Sequence, residues 1–261
     1  MILFASLMLM AVASTSWSDL LGSWYASDPR AAVYSDARAE FSRIFSQAAR
    51  EHVPQQILLN KLREGEAKGV PANTLVNSLR FELALLSRAK VILGRAGFGG
   101  TFLSPVADET VKDVEVYLRS GLPDQLVSNL LSASAARHAG KQAALAACGA
   151  IMDLRAVAPM EDADSLQIGR LLLASGLPPS GYGSLALVYG LGKSRGLSHD
   201  ALVHDIIINT LRSGGGLAIM KRKIVSAPIS EPLPPSPAAQ LVPKQHPSTS
   251  EPVSGKKINN R

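Results

Sequence analysis

Among its 261 residues the chain has one cysteine, Cys148. No intramolecular disulfide can form, so folds that depend on one are excluded. The surrounding AALAACGAIM holds no His, Lys or Arg to lower the thiol pKa, and the expectation is a small buried hydrophobe rather than a nucleophile. Aromatic residues are also few, at 5%, while hydrophobic residues reach 46%, with Ala and Leu carrying most of it. That balance argues against a sheet rich in Val, Ile and Tyr. It favours helices that approach closely through small side chains.

Positive charge is missing from the start of the chain, where no Lys or Arg precedes Arg30. The opening MILFASLMLMAVAS is uncharged and largely apolar, and Ala11-Val12-Ala13 has the small-x-small pattern of a signal peptidase site, with Ser16 to Ser18 as a second possible cut. The segment is too short for an ordinary membrane span. It predicts export to the periplasm or beyond, by a signal-like segment (residues 1–18) that lacks the usual basic n-region.

Catalytic signatures are absent too. No HExxH, GxSxG or paired-carboxylate arrangement with a defined partner is present. The stretch SLALVYGLGKSRG, Ser184 to Gly196, imitates a phosphate-binding loop at Gly192-Lys193-Ser194, but the glycine required five residues earlier is Leu187, so no nucleotide is expected. His199 and His204, each beside an aspartate, lie five residues apart, about 140° around a helix, which is poor geometry for a shared metal. Glu64 and Glu66 with Lys61 and Lys68 read as a solvated helix face carrying ion pairs. No cofactor is expected. A nucleic-acid partner is not expected either, because the net charge of +6 sits mostly at the C-terminus and leaves no basic face on the body.

What the sequence does have is a recurring helix break. It appears as Val53-Pro54, Gly69-Val70-Pro71, Leu103-Ser104-Pro105, Gly121-Leu122-Pro123, Gly176-Leu177-Pro178 and Gly196-Leu197-Ser198. In the clearest instance, Ile57, Leu58 and Leu62 share one helical face, Gly69 suits the left-handed position past a helix end, and Pro71 suits the start of the next helix. Leu75, Val76, Leu79, Leu83 and Leu86 then form the following face. An apolar pair recurs after the break, at Leu75-Val76, Leu126-Val127 and Leu202-Val203. A further helix is expected from Ala37 to His52, preceded by Trp24 and Tyr25 capping the end of the core. The fold class is therefore all-α, with stacked helical hairpins in a solenoid-like array or an irregular helical bundle. The spacing resembles that of helical-repeat proteins in architecture only.

The glycine-rich GRAGFGGTFLSP, after Leu93, suggests a hinge between an N-terminal helical block (19–94) and a C-terminal one (95–220). Residues 221–261 hold half of the sixteen prolines and read as a disordered basic tail. In that tail Lys221, Arg222, Lys223, Lys256 and Lys257 are the candidate residues for binding an anionic surface. The expected role is that of an exported, non-enzymatic bacterial envelope protein, with an unidentified protein partner and a possible anionic envelope surface. The alternative is an envelope hydrolase with dispersed catalytic residues.

Overall fold

A computed structural model describes residues 18–98 and 108–228, which contain helices and no strand among the described residues. In order these are α1 (Ser18–Ser27), a 3-10 helix (Pro29–Ala37), α2 (Arg38–Arg50), α3 (Gln55–Ala67), α4 (Ala72–Arg95), α5 (Asp108–Arg119), α6 (Asp124–Ala136), α7 (Lys141–Val157) and α8 (Asp162–Ala174). A short 3-10 turn (Pro179–Gly181) leads to α9 (Ser184–Ser194). A π-helix (Ala201–Ile208) then runs directly into α10 (Asn209–Arg212), and α11 (Leu217–Ser226) follows.

Seven helix ends are closed by the same two hydrogen bonds. After α3, Gly69 N–H donates to Glu66 O at 2.9 Å and Val70 N–H to Gly65 O at 2.9 Å. The same pair recurs after α2, α4, α5, α6, α9 and α10, with the left-handed residue being His52, Gly97, Gly121, His138, Gly196 and Gly214 in turn. Both bonds satisfy carbonyls that a helix end would otherwise leave open, and in several of these turns the residue that follows turns an apolar side chain inward. Val53, Leu122 and Leu197 do so and are buried. The recurring sequence phrase is this turn. Pro54, Pro71 and Pro123 stand at the N-cap with extended ψ, one position before the first helical turn expected for Pro71. Gly176 is an exception: there Ser175 Oγ accepts from Leu177 N–H and donates to Leu172 O, and no left-handed glycine is needed. Leu103-Ser104-Pro105 lies outside the described residues.

The packing order is regular. The substantial contacts of each helix are with its neighbours one and two places along: α2 on α4, α4 on α6, α6 on α8 and α8 on the π-helix form one row, and α5 on α7, α7 on α9 and α9 on α11 form the other. Hairpin contacts such as α3 on α4 and α6 on α7 join the rows into a two-layered stack. Helix α4 packs on α5 and α6, so helices on both sides of the glycine-rich stretch share one interface. The expected close approach through small residues is found at α7, whose buried face is Ala143, Ala144, Ala147, Cys148, Ala150, Ile151 and Leu154, touched by α5, α6, α8 and α9. In the π-helix the wider i→i+5 turn lets Ile206, Ile207 and Ile208, three residues in succession, all be buried against α8, α9 and α11.

Two expectations require correction. Glu66 is not on a solvated face. It is 5% exposed and accepts the indole N–H of Trp24 at 2.8 Å, while Glu64 and Lys68 alone make the exposed ion pair. The chain does not lose its fold at Lys221 either. Met220 and Ile224, four apart and fully buried, fix α11 to the stack through Ser226. The remainder of the proline-rich tail, from residue 229, lies outside the described residues.

Candidate anionic-surface-binding face

Helix α11 begins after the glycine turn at Ser213 to Gly216 and is aligned beside α9. Leu217 sits near Gly181 just before α9, and at the far end Arg195 Nη2 donates to Val225 O at 3.1 Å. The two helices therefore run parallel. With Met220 and Ile224 turned inward, Lys221, Arg222 and Lys223 are all exposed, flanked by the exposed aliphatic side chains of Ile219 and Val225. Leu187, 73% exposed, and Leu191 stand on the outer side of α9. Lys193 and Arg212 are exposed at the same end of the stack.

Charge is segregated along the chain. Between residues 18 and 183, seventeen basic residues are matched by seventeen acidic ones, whereas residues 184–228 carry six basic residues against Asp200 and Asp205. The basic character of the described residues thus belongs to the folded end built by α9, the π-helix, α10 and α11. Of the five candidate surface-binding residues, Lys221, Arg222 and Lys223 are brought together on α11. Lys256 and Lys257 lie outside the described residues.

The other candidates do not converge. Tyr189 OH lies 3.0 Å from His199 Nδ1, whereas His204 Nε2 is 3.9 Å from Asp164 Oδ2 on α8, so the two histidines serve different neighbours. The His204 pair is open to solvent, with the imidazole side chain 50% exposed. His52 and His138 hold left-handed turn positions. Gly192-Lys193-Ser194 is helical, within α9. Cys148 is fully buried, and burial pushes its thiol up to about 12, which leaves it protonated and unreactive at neutral pH.

A buried ionic cluster went unread in the sequence. Glu82 of α4 and Glu115 of α5 are both nearly inaccessible, and Arg119 reaches each at 2.5 Å, its guanidinium also lying over the exposed ring of Phe81. Burial, and then the neighbouring Glu82 carboxylate, hold the Glu115 carboxyl above its ordinary range. The i,i+4 spacing of Glu115 and Arg119 was a usable signal. Nothing in the sequence joined Glu82 to them.

Two open grooves run between helices of the first row. One, of about 430 Å³, is lined by Asp36, Glu40, Asn73, Asn77 and Arg80. The other, of about 350 Å³, is lined by Ser87, Arg88, Val91, Arg95, Asp124 and Gln125. Ion pairs between Arg80 and Glu40 and between Arg88 and Asp124 bridge their walls. No helix among the described residues is long and apolar enough to cross a membrane. Comparison with protein-family models, with curated proteins and with solved structures found no match to this chain.

Proposed function

We propose that the chain is a non-enzymatic interaction element of a bacterial envelope, exported by its apolar N-terminal segment and held at an anionic surface by its basic C-terminal end. The observation that carries this is the charge segregation: a body of balanced charge followed by a folded, basic end in which α11 presents Lys221, Arg222 and Lys223 together. A cation near an anionic envelope surface contributes about 1 kcal/mol, so a cluster of this size gives a useful, salt-sensitive hold. Export is compatible with the folded body, because cutting after Ala13 or after Ser18 leaves the buried Leu21 and Trp24 in place.

Two measurements test it. The mature protein should begin at Ser14 or Asp19 by mass spectrometry, and an intact Met1 in a soluble cytoplasmic fraction refutes export. Purified protein should associate with anionic envelope material and be released as ionic strength rises. Association that is unaffected by salt refutes the electrostatic hold.

A further inference from the structure

We infer that the end of the stack formed by α9 and α11 docks on an anionic lipid bilayer. The inference rests on the proposed hold at an anionic surface and names the surface. A soluble or wall-bound polyanion attracts cations but offers nothing to aliphatic side chains. Here the two kinds of side chain alternate. At 100° per residue, with Met220 and Ile224 fixing the buried side, Arg222 faces directly away from the stack, and Ile219 and Val225 flank it. Lys221 and Lys223 lie nearer the edges, where long stems let the ammonium groups reach outward. Leu187 and Leu191 are further exposed aliphatic side chains on the parallel neighbour α9.

A bilayer interface meets both demands, taking cations at its phosphates and aliphatic chains at the boundary of the acyl region. Because Met220 and Ile224 already hold α11 in shape, docking requires no helix to form on the membrane. Asp200 and Asp205 are the acidic residues within this segment, and Asp164 of α8 and Asp153 of α7 border it at His204 and Gly183; the six basic residues outnumber these four.

The test uses the full-length chain and co-sedimentation with vesicles of phosphatidylglycerol and phosphatidylethanolamine, with phosphatidylcholine vesicles and soluble polyphosphate as comparators. Binding to the anionic vesicles and not to phosphatidylcholine is expected. Each cation near the surface raises partitioning about fivefold, so Lys221→Glu/Arg222→Glu/Lys223→Glu should weaken vesicle binding by at least on the order of 100-fold. Ile219→Asn/Val225→Asn should weaken it roughly tenfold and leave polyphosphate binding unchanged. All five positions are exposed, and circular dichroism should show unchanged helicity in both variants. Removing residues 229–261 should matter less than either. Vesicle binding insensitive to Ile219→Asn/Val225→Asn and no stronger than polyphosphate binding overturns the lipid assignment and leaves the anionic-surface reading standing. Binding lost on removal of residues 229–261 but kept in the α11 charge variant overturns it in favour of the tail. Failure to bind either anion overturns both.

Discussion

Leu75 occupies the space that a β-carbon on Gly65 would need: such an atom would fall 2.5 Å from Leu75 Cδ1. The same relation, again ten residues apart across a left-handed turn, holds between Gly192 and Leu202. In both hairpins a glycine in the last turn of one helix lets the first buried leucine of the next element close against its backbone. Leu75 and Leu202 are enclosed, at 2% and 0% exposure, so neither can swing aside freely. Gly65→Ala and Gly192→Ala should each destabilise the protein by about 1–3 kcal/mol through overpacking, in spite of the better helix propensity of alanine. Gly190→Ala, two residues away in α9 with open space around it, should instead stabilise by about 0.5–1 kcal/mol. Chemical denaturation of the three variants reads these signs directly.

Two histidines do a glycine's work. His52 and His138 have φ of 52° and 54°, in the left-handed region that side chains with a β-carbon rarely adopt. At His52 the turn is held from outside, since Lys90 Nζ donates to the carbonyls of Glu51 and His52 at 2.8 Å each. His52→Gly and His138→Gly should each raise stability by about 0.5–1 kcal/mol, and Gly69→Ala or Gly121→Ala should lower it by about 1–2 kcal/mol. Thermal melts of these four variants check the turn assignment from both directions.

The turns with Gly or Pro were legible because those residues report on the backbone itself, and the Gly69 and Gly121 turns could be placed from sequence alone. His52 and His138 were not, because histidine's bias toward a left-handed φ is far weaker than glycine's, and at His52 the turn is held by the remote Lys90. The helices α1 and the 3-10 segment were invisible for a related reason. Gly22 and Pro29 interrupt the local pattern, and what orders this stretch is remote: Trp24 on Glu66, and Tyr34 OH donating to Val70 O at 2.9 Å. In α11 the prolines that dominate the tail masked a short amphipathic register resting on Met220 and Ile224. By sequence Lys221, Arg222 and Lys223 belong to a disordered tail, whereas in the structure they lie on α11. As part of a helix the cluster has defined neighbours, including two aliphatic side chains.

The Glu82, Glu115 and Arg119 cluster gives a pH dependence with a definite sign. The Glu115 pKa is raised above its ordinary value of 4.5 in the folded state, by burial and then by Glu82. The folded state therefore binds this proton more tightly than the unfolded state does. The stabilisation is fully present below pH 4.5 and is lost as pH rises through the raised folded value. Glu115→Gln keeps the shape and removes the titration. The stability difference between variant and wild type should thus shift in favour of the variant as pH rises from about 4 to 7. Parallel unfolding curves at each pH measure it, and a constant difference refutes the assignment.

A contact between Trp24 and Glu66 closes the N-terminal end. Trp24 is 1% exposed, stacks edge-on against Tyr25 and Phe41, and donates its indole N–H to Glu66, a nearly buried carboxylate 42 residues away. Trp24→Phe preserves most of the apolar body but leaves the Glu66 oxygen without this donor. Losing a hydrogen bond to a buried charged group costs about 1.5–3 kcal/mol, and the smaller ring adds a cavity. Glu66→Leu alone leaves the indole N–H unsatisfied and should cost about 1–3 kcal/mol. The double variant Trp24→Phe/Glu66→Leu removes both polar groups at once, so its destabilisation should fall short of the sum of the single ones by about 1–2 kcal/mol. Strict additivity would mean that the indole and the carboxylate do not couple, and that α1 is held by ring packing alone. With coupling, hydrogen exchange should show α1 and the 3-10 segment opening more readily in either single variant, while α7 and α9 keep their protection.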